Sequence, residues 1–178
     1  MTLLRFIILL LIIGCSNSSR STITELDLTN QKLTAIPDSV FTLTQLKWLE
    51  LGNAFTVYPQ LSSLSQDFTE GNDLNKITTI PKAIKKLQNL QTLGLLFNDI
   101  SSLPEELTML KKLDTLDISY NRRLNISSAM PTLRKMTWLK YLDIEATTFQ
   151  KKDVDSLRQL LPNTKIITGF EPREDLEN

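Results

Sequence analysis

A repeated proline frame constrains this chain more than any other feature. Ile36-Pro37, Ile80-Pro81 and Leu103-Pro104 are each followed by an apolar residue three positions on (Val40, Ile84, Leu107) and another six on (Leu43, Leu87, Leu110). Nine residues after each proline begins a phrase of the form apolar-x-x-apolar-x-apolar. The phrases are Ile23/Leu26/Leu28, Leu46/Leu49/Leu51, Leu90/Leu93/Leu95, Leu113/Leu116/Ile118 and Leu139/Leu142/Ile144, with start-to-start spacings of 23, 44, 23 and 26 residues. The last apolar pair of each phrase alternates with polar residues, as in a strand with one buried face. The proline falls where a short helical segment starts, a place where its missing N–H does no harm. A unit this small cannot close a core alone, so stacking must supply it.

The pattern resembles the leucine-rich repeat, whose unit of about 20–29 residues pairs a strand with a helix or turn. The resemblance runs from about Ile23 to Ile167. It implies an α/β solenoid, a horseshoe with a short parallel sheet on its concave face. It also implies an asparagine just after each strand, whose amide satisfies unpaired backbone groups at the corner. Asn98 and Asn121 match; Gln31 and Thr147 stand there in the first and last units, and Ala54 in the second, with Asn53 one place early.

The second unit carries about 21 extra residues, roughly Ala54–Asn75, and Asp67, Glu70 and Asn72 are polar where another apolar triad would fall. An insertion projecting from the solenoid is expected there. Its Phe55, Val57, Tyr58 and Phe68 suit either packing on the neighbouring convex surface or ligand contact. In the fourth unit Arg122–Ser128 adds length, and Met130-Pro131 precedes Leu139 by eight residues instead of nine. Near the end, Val154, Leu157, Leu160 and Leu161 read as one helical face stopped by Pro162. Ile166-Ile167 supply a last strand, and residues 168–178 an acidic tail.

The N-terminus has a different composition. Arg5 precedes an unbroken apolar run, Phe6–Ile13, with the layout of a secretory signal peptide and too little length to span a bilayer. Ile12-Ile13-Gly14-Cys15 resembles the lipobox of bacterial lipoproteins. That resemblance implies cleavage after residue 14 and diacylglyceryl transfer to the Cys15 thiol. Multiple acyl chains make anchoring stable. Cys15 is the single cysteine, so no intramolecular disulfide competes for it. Residues 15–22 then read as a polar tether, and the repeat domain spans 23–167. Ser16 stands where an Asp often retains enteric lipoproteins at the inner membrane, so the resemblance favours the outer membrane, on either its periplasmic or its surface side.

In such a solenoid the strand residues that do not enter the core form columns on the concave face. One column reads Asp27, Glu50, Gly94, Asp117 and Asp143; another reads Glu25, Trp48, Thr92, Thr115 and Tyr141; the outermost positions add Asn30, Asn53, Leu96, Phe97 and Tyr120. The expected ligand-binding set is therefore Trp48, Glu50, Phe97, Asp117, Tyr120, Tyr141 and Asp143. Aromatic residues are typical interface anchors, and an acidic spine suits a basic or hydrogen-bond-rich protein or peptide. Acidic strand positions also serve simply to keep a sheet soluble and unpaired.

Catalysis is not expected. The chain has no histidine and five glycines with no phosphate-binding loop, and no cofactor or metal site is suggested. The carboxylates of the spine are expected on an open surface, without the burial that would shift their pKa values. Twenty basic residues balance twenty acidic ones, so no nucleic-acid partner is expected. The reading is a membrane-anchored envelope module that binds protein. The alternatives are a structural envelope scaffold or, if the N-terminus is misread, an intracellular repeat regulator.

Overall fold

The computed structural model describes residues 22–53 and 74–169. Cys15, the signal segment, most of the insertion and the end of the acidic tail lie outside them. Six three-residue strands, β1 (Glu25–Asp27), β2 (Trp48–Glu50), β3 (Thr92–Gly94), β4 (Thr115–Asp117), β5 (Tyr141–Asp143) and β6 (Lys165–Ile167), form one parallel sheet in chain order. The central residues Leu26, Leu49, Leu93, Leu116, Leu142 and Ile166 are in register from strand to strand.

The return path explains the prolines. Pro37, Pro81 and Pro104 sit in extended backbone just before the 3-10 turns Asp38–Thr42, Lys82–Lys86 and Glu105–Met109. Proline fixes φ and needs no partner for an N–H. Its carbonyl accepts the N–H three residues on, from Val40 (3.0 Å), Ile84 (3.0 Å) and Leu107 (3.2 Å). Those three side chains are buried, as are Leu87 and Leu110, whereas Leu43 in the outermost unit is half-buried. The core is one ladder of apolar residues, mostly leucine and isoleucine, from Ile36 to Ile166.

In the fourth unit the extra residues turn the 3-10 segment into a helix, α1 (Ile126–Leu133). Asn125 caps it, accepting from the Ser128 N–H at 3.2 Å. Pro131 therefore lies inside a helix and not ahead of one, which is why its offset from Leu139 differs from the other frames. A second helix, α2 (Lys151–Leu160), closes the last unit, and Asp153 Oδ2 accepts the Gln150 N–H at its start (2.8 Å). Val154, Leu157 and Leu161 are buried there, but Leu160, expected on the same face, is 43% exposed. At about 100° per residue it falls roughly 60° beyond Leu157, outside the buried stripe.

Asparagine amides tie the units together. Asn98 Oδ1 accepts from the Ile77 N–H (2.9 Å), and its Nδ2 donates to the Leu51 carbonyl (3.0 Å) of the preceding unit. Asn121 does the same with the Ile100 N–H (3.0 Å) and the Leu95 carbonyl (2.9 Å). The same role in the second unit falls to Asn75, which sequence reasoning placed in the insertion. Asn75 Oδ1 accepts from Gln31 and Leu33, and its Nδ2 donates to the Leu28 and Leu51 carbonyls. The frame held the signal: Asn75 precedes Pro81 by the same six residues that separate Asn98 from Pro104. Thr147 ends the ladder, its hydroxyl reaching only the Ile144 carbonyl of its own unit (2.7 Å).

Asn53 has a separate job. Its Oδ1 accepts from the Asn75 N–H (2.6 Å) and its Nδ2 donates to the Asn75 carbonyl (2.8 Å), so one buried amide holds both ends of the 54–74 segment together.

Candidate binding surface

Strand register sets the face opposite the core. One column runs Glu25, Trp48, Thr92, Thr115, Tyr141 and Lys165; the next runs Asp27, Glu50, Gly94, Asp117, Asp143 and Ile167. Each acid of the second column accepts the backbone N–H two residues ahead. Asp27 takes Thr29 (2.8 Å), Glu50 takes Gly52 (2.9 Å), Asp117 takes Ser119 (2.8 Å) and Asp143 takes Glu145 (2.9 Å). Short acidic side chains are suited to this local bond, which ends the strand.

The face is not uniformly open, and this corrects the expectation from sequence. Asp117 is 2% exposed, with Thr115 at 5% and Ser119 at 2%. The Asp117 carboxylate lies down on its own backbone, where the Ser119 hydroxyl also donates to it at 2.6 Å. It is therefore poorly placed to meet a ligand. Leu96, expected among the outer positions, is likewise buried at 4%. Trp48, Glu50, Tyr120, Tyr141 and Asp143 are half-buried, and Phe97 is 40% exposed.

Burial also moves the carboxylates. Loss of solvent pushes Glu50 up to about 7, with Asp117 and Asp27 adding to the rise and the Gly52 N–H opposing it. Asp143 is pushed to about 7 by burial first and then by Asp117, against the Glu145 N–H. Asp117 is raised chiefly by burial. The spine thus carries shifted acids, contrary to the reading of an open surface. The first cause is burial, with neighbouring acids adding to it, and strand patterning alone reveals neither. A glycine completes it: a Cβ at Gly94 would overlap the Glu50 carboxylate, which leans across into the space.

The aromatic residues do not form one cluster. Trp48 and Tyr141 share a column, but Thr92 and Thr115 separate them, about 14 Å at ordinary strand spacing. Phe97 and Tyr120 do meet, stacked with ring centroids 5.9 Å apart and planes 24° from parallel. Both hold left-handed backbone, at φ +58° and +55°. Asn30 and Ala146 occupy the same conformation in their own units. The Tyr120 hydroxyl donates to Glu145 Oε1 at 2.9 Å, which raises the pKa of the phenol. Glu145 is the residue of this corner that sequence columns missed; its place two after Asp143 on the same face was the available signal.

Among the described residues no group of acids, cysteines or histidines could hold a metal ion, and no helix is long and apolar enough to cross a membrane.

The architecture is a leucine-rich-repeat solenoid. Solved structures agree. A leucine-rich-repeat protein of Leptospira interrogans is 31% identical, with a TM-score of 0.54, over 81% of this chain and 36% of that one. TLR13, solved in a complex with the RNA ssRNA13, is 23% identical and similar in fold alone, with a TM-score of 0.56 over 80% of this chain and 18% of that one. The chain thus spans about a third or less of the proteins it is similar to. No family model and no curated protein matches it.

Proposed function

We propose that this protein is a lipid-anchored, non-enzymatic binding module of the bacterial envelope that holds a protein or peptide on its concave face. The observation that carries the binding half is the register that lines up Trp48, Glu50, Tyr141 and Asp143 opposite the core. The anchoring half rests on Ile12-Ile13-Gly14-Cys15. By the lipobox resemblance the outer membrane is its place. An acidic face argues against nucleic acid as the partner, since phosphates would meet Asp27, Glu50 and Asp143 with no compensating basic column.

Palmitate labelling of the full chain against Cys15→Ser tests the anchor, and an unlabelled wild type would end that half. For the face, crosslinked partners are compared between wild type and a Trp48→Ala/Tyr141→Ala variant. Loss of a discrete partner is expected. A scaffold role has one observation in its favour, namely that the column acids are occupied with their own strand N–H groups. That alternative predicts an unchanged crosslinking pattern.

A further inference from the structure

Ion pairs are distributed unevenly over this molecule. Glu105 pairs with Lys135 (2.6 Å), Asp114 with Lys140 (3.0 Å) and Glu106 with Lys82 (3.8 Å), all off the concave columns. The concave face carries Glu25, Asp27, Glu50, Asp117, Asp143 and Glu145 against Lys165, with Arg122 near Tyr120 at its edge, and among the described residues none of these acids has an ion pair. Among the described residues the concave face thus concentrates acidic charge without an ion pair, although Asp38, Asp99 and Asp155 elsewhere also lack one. At one corner this charge adjoins a flat aromatic surface, the stacked Phe97 and Tyr120 rings, with Tyr120 bonded to Glu145 and Glu145 bonded to Asp143. Each of those two carboxylates uses one oxygen in these bonds and leaves the other without a hydrogen bond from the described residues.

We infer that this corner seats a basic, extended segment of a partner protein, with an arginine side chain lying on the Phe97–Tyr120 rings and paired with Asp143 and Glu145. A planar guanidinium suits both elements, since it stacks on aromatic faces and offers a fork of donors to carboxylates. An ammonium also sits over a ring, as Lys111 does over Trp138 at 3.6 Å, but it offers no plane to stack and no fork of donors. The inference rests on the concave-face reading above and names the chemistry of the partner.

The test uses the full chain at pH 8 and low salt, with fluorescein-labelled hexa-arginine, hexa-lysine and hexa-glutamate as probes read by anisotropy. Hexa-arginine should bind more tightly than hexa-lysine, and hexa-glutamate not at all. Asp143→Asn/Glu145→Gln, which keeps the local acceptors, should weaken hexa-arginine about tenfold or more, the scale of lost close charge pairs. Phe97→Ser should weaken it about threefold to fivefold, while narrowing the preference for arginine over lysine. Glu105→Gln/Glu106→Gln removes equal charge elsewhere and should change binding less than twofold. Equal weakening by both double variants, or no binding of hexa-arginine by a chain with wild-type melting, overturns the inference. If the double variant melts early, Phe97→Ser decides alone: unchanged affinity and unchanged preference overturn it. Crosslinks that depend on Trp48 and Tyr141 would persist in that case, so the broader reading and this one fail separately.

Discussion

The second and third repeat units perform the same task by different routes. In the third, Leu95 leads directly through Phe97 to Asn98, whose amide bonds back to the unit before it. In the second, the chain leaves at Asn53, runs through residues 54–74, and returns at Asn75 to make the equivalent bonds. What lets the second unit tolerate an interruption is the Asn53 amide, which grips the Asn75 backbone from both sides. An insertion costs a solenoid little when its two ends are brought to hydrogen-bonding distance, because closure entropy grows only slowly with loop length.

If the two routes are equivalent, Asn98→Ala and Asn75→Ala should destabilise alike, each by about 3–4 kcal/mol, since each strands buried backbone donors and acceptors. Urea denaturation measures both, and an Asn75 cost well under half that of Asn98 would break the equivalence. Asn53→Ala should cost about 2–3 kcal/mol, for three lost bonds at a buried stem, two to Asn75 and one to the Phe97 carbonyl. Its effect should shrink, in a chain already lacking 54–74, to what the Asn53 bond to the Phe97 carbonyl contributes, which a double-mutant comparison reads directly.

A smaller effect concerns Glu50, which reaches from the second unit across Gly94 of the third. Its carboxyl titrates near 7 when folded, above its ordinary value of 4.5. Between those values the folded chain holds a proton that the unfolded chain has released, so stability is greatest at the acid end and falls as pH rises through 7. Asp143 acts in the same direction. Glu50→Gln should flatten part of this slope and raise the melting temperature at pH 8; an unaltered slope would show the two units are not coupled there. Smallest of all, joining Asn53 to Asn75 by deleting 54–74 restores a 23-residue spacing. It should leave a cooperative transition within about 1 kcal/mol of the wild type. A chain that no longer unfolds cooperatively would refute the separability of the insertion.

Much of this was legible because hydrophobic spacing repeats. Leu49, Leu93, Leu116 and Leu142 pointed to the sheet, and their polar neighbours to the columns that pair in register. Where legibility failed, local geometry had overridden the pattern. Asn75 was hidden because the insertion reset the count from the strand, although the count back from Pro81 was intact. Spacing implies an open Asp117, because a side chain's bond to its own backbone leaves no trace in it. Spacing also puts Leu160 with the buried residues, yet four apolar residues exceed the width of one helical stripe and only three of them fit.

The left-handed backbone at Phe97 and Tyr120 has a consequence for anyone redesigning this protein. Bulky residues are uncomfortable there, whereas asparagine or glycine would fit at lower conformational cost. A search for thermostable variants would therefore select replacements at these two positions early. It would return a sturdier solenoid with its stacked rings gone, having traded contact surface for melting temperature.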